Sequence, residues 1–282
     1  MPPTIAEPDL VLLRPATGVS AEARSLLDRA AAVDTEMGFG PPRSALRAEP
    51  GPTTVIEVDT CLHRHDVVHP DDYVSAAVLV VREVRPGVGI VGFVVDPDRR
   101  SIGVATAVVE RLGTNPSGWV GTELRTLWAV AHGCHPAAER LARRVGLRNP
   151  SARSHLVLPA GEELPSWASP TGTRVLHPDD GVASPPFDDL GEEDPSTVLL
   201  AVDSGLARVR PAGRDGVAEI RGVASERKAS AGEVVVAAVA WLKDRGATMV
   251  EALVDADDEA LLEAFRSLHF EHDRTDLLFA LR

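Results

Sequence analysis

VDPDRRSIGVATAVVERL, residues 95–112, leaves a Val-rich run, passes two arginines and a turn of small residues, and becomes an amphipathic helix. The turn Arg100-Ser101-Ile102-Gly103-Val104-Ala105 decides the reading of the chain. A helix that starts beside bare backbone presents unpaired N–H groups and the positive end of its dipole, which together favour an anion. Gly103 and Ala105 keep that surface uncovered, and Arg99 or Arg100 can add charge. Small residues at a tight strand-to-helix junction are also ordinary packing, so the turn alone does not settle its use.

The neighbouring sequence gives the turn a context. Before it, TTVIEVDTCL, YVSAAVLVVREV and VGIVGFVVDP are rich in β-branched residues and separated by turn-formers. They read as consecutive antiparallel strands. Upstream, a strand over Leu10–Ala16 precedes a helix over SAEARSLLDRAAAVD, with Ser20 as its cap. Downstream come the strand LRTLWAVA, the helix HPAAERLARRVGL with glycine near its end, and a closing strand, SHLVLPA.

Residues 160–195 are dense in Pro, Gly, Asp and Glu, and read as a linker. The order then resumes. TRVL, TVLLAVD, LARVRPA and VAEIRGVA read as strands. ERKASAG is a second basic, small-residue turn, and EVVVAAVAWLKDRG a helix. The strand TMVEALVDA, the helix DDEALLEAFRSLHF and the strand DLLFALR complete the series. The sequence therefore divides into a first unit (1–160), a linker (161–172) and a shorter second unit (173–282). The fold class is α/β (α+β), with two tandem units, each a mixed, mostly antiparallel sheet flanked by helices.

With 282 residues and 44% hydrophobic content, the chain can bury a substantial core. A formal charge of −13 argues against a general grip on nucleic acid, which needs a basic face. Two cysteines are too few for a disulfide framework. No signal peptide and no membrane span are read, so the expectation is a cytoplasmic protein with neither a nucleic-acid nor a membrane partner.

Arg-x-x-Gly-x-Ala after a Val-rich strand, followed by a strand and a helix ending in Gly-Leu, resembles the coenzyme-A-binding core of the GNAT acetyltransferase superfamily. The stretches that carry the resemblance are VVDPDRRSIGVA, LWAVAHGCHPAAERLARRVGL and DADDEALLEAFRSLHFEHDRTDLLFALR. Two such units in one chain resemble the mycothiol synthase family of tandem GNAT proteins. The resemblance implies direct transfer of an acyl group from acetyl-CoA to a small-molecule primary amine, with no metal. It implies that Val94 and Val95 offer backbone N–H groups to the thioester carbonyl. It further implies that Arg100, Ile102, Gly103, Val104, Ala105 and Thr106 hold the pyrophosphate, and that His135 contacts the pantetheine arm.

The second unit departs from the family pattern. Its turn, Arg227 to Gly232, has Ser230 where the family has glycine; were φ positive there, a side chain would cost about 1–2 kcal/mol. Phe265 stands where the family commonly has a proton-donating Tyr, and His269 where it has Gly. Glu219, on a strand, is a candidate base acting through water, or a solvated carboxylate. His132, at a strand end with Cys134 and His135, is the other catalytic candidate. Cys134 as a nucleophile lacks an identifiable third group, and direct transfer needs none. Cys61, His63, His65 and His69 could be metal ligands or a polar hairpin end, and the hairpin is the reading adopted. Tyr73, the one phenol, reads as a strand residue at the core's edge. The alternative function is a catalytically lapsed tandem protein that binds CoA as a sensor or serves as an interaction scaffold.

Overall fold

A computed structural model describes residues 10–39, 53–61, 72–113, 115, 119, 123–147, 150–162, 172–176, 196–225, 227 and 230–282. Its first elements follow the hydrophobic pattern closely. β1 (Val11–Ala16) leads to α1 (Ala21–Glu36), whose first turn is capped by Ser20 Oγ, accepting from the Ala23 N–H at 3.1 Å. β2 (Thr53–Cys61), β3 (Tyr73–Arg85) and β4 (Val88–Val95) form an antiparallel meander. After β4, a 3-10 turn at Pro97–Arg99 and the residues to Gly103 lead into α2 (Val104–Leu112). β5 (Thr126–Ala131), α3 (Pro136–Arg144) and β6 (Ser151–Leu158) follow.

The later half comprises β7 (Arg174–Leu176), β8 (Val198–Val202), β9 (Gly205–Arg210), β10 (Val217–Ser225), α4 (Ala231–Lys243), β11 (Met249–Asp255), α5 (Glu259–Arg266) and β12 (Glu271–Leu281). α4 is apolar on nearly every side, so only burial on all faces satisfies it. It lies among Leu200, Val209, Ile220, Leu262 and Phe265 in the largest core cluster.

The expectation of a separate sheet in each unit is corrected here. All twelve strands among the described residues belong to one mixed sheet, in the order β1-β2-β3-β4-β5-β12-β6-β11-β10-β9-β8-β7. SHLVLPA does not close the first half: β6 pairs antiparallel with β11 and β12, both from later in the chain. β12 in turn pairs with β5. The two closing strands are exchanged between the halves, and the order reads the same from either edge. β12 begins five residues before the apolar run that announces it, because Glu271–Thr275 continue the ladder along β6 through a bulge between His272 and Arg274.

Candidate active site

The site is made by strands that part. β4 and β5 run parallel, and their register covers only Val88–Val91 against Thr126–Ala129. Beyond Val91, β4 stays with β3 alone, pairing Gly92–Val95 with Val80–Ala77, so a gap opens between β4 and β5. The Asp96 N–H donates to the Ala76 carbonyl at 2.9 Å. The period-two alternation of an antiparallel ladder then turns the Val94 N–H toward β3, and those of Phe93 and Val95 toward the gap. The Val94 N–H, expected at the gap, therefore points away from it, and Phe93 joins Val95 in facing it.

The turn after β4 leaves the start of α2 uncovered. Ser101 (φ 67°) and Gly103 (φ 97°) both adopt left-handed backbone. Gly103 is the N-cap of α2 and supplies no side-chain cap. The first backbone bond of the helix runs from the Ala107 N–H to the Gly103 carbonyl. The N–H groups of Val104, Ala105 and Thr106 precede it and need acceptors from outside the helix. A Cβ on Gly103 would meet nothing nearer than Leu10 Cδ2 at 3.9 Å, so the cradle is bare. Ile102 is exposed beside it, while Val104 is buried and anchors the helix.

Arg100 is placed differently from the expectation. Its two terminal nitrogens donate to the Asp34 carboxylate of α1 at 2.6 and 2.9 Å, and its Nε–H donates to the Val95 carbonyl at 3.2 Å. The fork ties α1 to the turn, so the charge of Arg100 is matched before any phosphate arrives. His135 is likewise engaged. Its Nδ1 accepts from the Ala137 N–H, capping α3, and its ring packs on Phe39 at 4.4 Å between centroids. Burial pushes the His135 imidazole below its ordinary pKa.

His132 follows the last residue of β5. Its Nδ1 lies 2.9 Å from Asp276 Oδ2 of β12. The Gly133 N–H and the Arg274 Nε–H donate to the other carboxylate oxygen. Burial pushes Asp276 up, but His132, the Gly133 N–H and Arg274 outweigh it and hold this carboxylate below its usual range. Cys134 donates its thiol to the Thr275 carbonyl at 3.1 Å, and burial pushes its pKa up, the reverse of what a nucleophilic thiolate needs.

The later half repeats the parting strands. β10 and β11 pair in parallel over Val217–Ile220 and Met249–Ala252, and β10 then bulges between Ile220 and Gly222. The turn that follows differs from the first. Ser230 has φ −91°, so the strain that a positive φ would bring is absent. The Arg227 carbonyl accepts from the Ser230 N–H and the Ser225 hydroxyl, and its side chain is exposed. Gly232 is the second residue of α4, the place Ala105 holds in α2, and a Cβ there would meet Ala264 of α5 at 4.0 Å.

Glu219 is not a free base. Arg210 stands 2.7 Å from its Oε2, and Arg221 adds a second contact at 3.6 Å. Phe265 is buried edge-to-face against Phe270, and His269 is exposed at the end of α5 with φ 66°. Residues 62–71, which include His63, His65 and His69, lie outside the described residues. Among the described residues no cluster of three or more His, Cys, Asp or Glu is arranged for a metal, and no helix is long and apolar enough to cross a membrane.

Over 97% of this chain and 96% of its own length, the structure matches a GCN5-related N-acetyltransferase from Sphaerobacter thermophilus, with a TM-score of 0.62 and 17% identity. The fold is that of the GCN5-related N-acetyltransferases. A tandem GNAT protein from the clavulanic acid biosynthesis pathway matches over 96% of this chain and 98% of its own, with a TM-score of 0.53 and 16% identity. In sequence, a Clavibacter sepedonicus protein named mycothiol acetyltransferase is 28% identical, spanning 99% of this chain and 97% of its own length. No protein-family model matches. Within this GNAT fold, the parting of β4 from β5 and the bare turn at Gly103 lie where the sequence placed them. The sequence reading did not single out Asp34, Phe93 or Asp276. Their places beside the turn, the gap and His132 depend on partners remote in the chain or on the strand register.

Proposed function

We propose that the chain is an acyl-CoA-dependent N-acyltransferase built as two tandem GNAT-like units, with acetyl-CoA as donor and a small-molecule primary amine as acceptor. The observation that carries this reading is the bare, uncapped N-terminus of α2 opening beside the gap between β4 and β5. Hydrogen bonds to a charged group contribute about 1.5–3 kcal/mol each, so N–H groups converging from Gly103 to Thr106 suit a pyrophosphate. The N–H groups of Phe93 and Val95 would receive the thioester carbonyl and stabilise the oxyanion as the amine attacks. Likeness in sequence to mycothiol acetyltransferases supports a mycothiol-synthase-like acceptor, an amine on a polar small molecule.

In this reading the earlier half is the transferring one. The later half keeps its parted strands but has a different turn, a paired Glu219 and a buried Phe265 in place of a phenol. The test is thiol release from acetyl-CoA with a panel of primary amines for the natural protein and Gly103→Trp. Loss of release in Gly103→Trp supports the reading, and equal rates in both contradict it. A protein that binds acetyl-CoA yet releases thiol with no amine would favour the lapsed sensor or scaffold.

A further inference from the structure

The strand order is the same from either edge of the sheet, so residues at the matching parallel registers of the two halves can be paired. Ala129 ends the parallel register in the earlier half as Ala252 does in the later, so His132 corresponds to Asp255. Leu277 faces Ala131 as Ser154 faces Val254, so Asp276 corresponds to Arg153. The exchanged strands thus bring one pair to the end of each parallel register. Three residues past the end of the β4/β5 register stands His132, paired with Asp276 at 2.9 Å; three residues past the end of the β10/β11 register stands Asp255, paired with Arg153 at 3.4 Å.

The two pairs differ in chemistry. Asp255 and Arg153 form an ion pair, and neither offers a ring that can donate at one nitrogen while it accepts a proton at the other. An imidazole whose Nδ1–H is donated to a buried carboxylate is fixed in orientation and tautomer, which leaves Nε2 to accept a proton. The His132 side chain is about a quarter exposed, whereas Asp276 is almost wholly buried.

We infer that His132 is the general base at the β4/β5 gap and that Asp276, delivered by the exchanged strand β12, is its positioning residue. The later half lacks this device. The inference rests on the function proposed above and assigns its proton transfer. The substrate ammonium gives one proton to His132 Nε2, and the freed nitrogen lone pair forms the C–N bond to the thioester carbon. The C–S bond then breaks with its electron pair on sulfur. The amide nitrogen sheds its second proton to that thiolate, and His132 returns its own to water. The charged groups around the pair are Arg274 on β12, Arg153 on β6 opposite Asp276, and Asp255 on β11 beside Arg153; Cys134 stands next to it in the chain.

The experiment is a pH–rate profile with the best amine of the panel, alongside calorimetric binding of acetyl-CoA, for the natural protein and three variants. His132→Gln should lower kcat at least 100-fold and abolish the acid limb of kcat, with acetyl-CoA affinity within twofold of the natural protein. Asp276→Asn should lower kcat about tenfold or more and displace that limb, again without loss of acetyl-CoA binding. Asp255→Asn, the same place in the later half, should leave kcat and the profile unchanged. Intact turnover and an unshifted acid limb in both His132→Gln and Asp276→Asn would overturn the inference while leaving the transferase reading standing. A natural protein that binds acetyl-CoA but turns over no amine would overturn both. Should Asp276→Asn fail to fold, His132→Gln alone decides, because the His132 side chain is partly exposed and a glutamine amide can still donate to Asp276, which keeps the Gly133 N–H and Arg274.

Discussion

Arg100 and Asp34 meet through two parallel hydrogen bonds of 2.6 and 2.9 Å, joining the turn after β4 to the helix that follows β1. Both side chains are partly buried, and the remaining Arg100 Nε–H is donated to the Val95 carbonyl at the gap. The arginine that the sequence offered as a phosphate ligand is thus a brace that sets the shape of the turn after β4. A double-mutant cycle with Arg100→Ala and Asp34→Ala should show coupling of about 1–2 kcal/mol in chemical denaturation. Additive losses would mean that the fork does not hold the turn.

Phe265 stands where the family commonly has a Tyr, yet its ring is buried edge-to-face on Phe270 within the core around α4. A hydroxyl added there would be buried among apolar neighbours, at a cost of about 1–3 kcal/mol. Phe265→Tyr should therefore lower the unfolding midpoint and leave thiol release unchanged. A rise in turnover would show that the later half still reaches a leaving thiolate.

His269 holds φ 66° just past the end of α5, where the corresponding residue after α3 is Gly146 with φ 79°. A side chain in this region costs about 1–2 kcal/mol, offset in part by the greater freedom of glycine in the unfolded chain. His269→Gly should raise Tm by about 2 °C for a protein of this size, measured by calorimetry. A fall in Tm would assign His269 a stabilising contact stronger than that strain, with the Glu162 carboxylate 3.6 Å away as its partner.

His155 on β6 is buried between two carboxylates, Asp273 at 2.9 Å and Glu251 at 3.7 Å. Burial pushes the imidazole pKa down, but the two carboxylates outweigh both burial and Arg274, and the value stands above the ordinary one. A raised folded-state pKa stabilises the fold below the unfolded value of about 6.5, and that contribution is lost as pH rises through the folded value. Tm should fall as pH rises above about 6.5 through the raised folded value, and His155→Gln should flatten that slope. Parallel Tm curves for the two proteins would show that this histidine does not titrate in the folded state.

Local order was legible in the sequence because each element carries its own signal. Ser20 caps α1, Gly146 ends α3, and the Val-rich runs before Gly103 and Ser230 each lead to a helix. The strand exchange was not legible, because β6 and β12 are both apolar strands following a helix, and nothing local distinguishes the partner each will take. The pairs it creates join residues far apart in the chain, as with His132 and Asp276. Arg100 was recognised as part of the turn, but its carboxylate partner lies 66 positions earlier on α1, among other acidic helix residues. Ser230 shows the converse. Alignment with Gly103 suggested strain, whereas the observed φ of −91° shows that the later turn takes another path.

The central claim, that acetyl-CoA is held at the turn between β4 and α2, is tested most directly by calorimetric titration of the purified protein with acetyl-CoA. The account predicts one site per chain, lost in Gly103→Trp and retained in Ser230→Trp. Two sites, or a single site that survives Gly103→Trp and vanishes in Ser230→Trp, would contradict it.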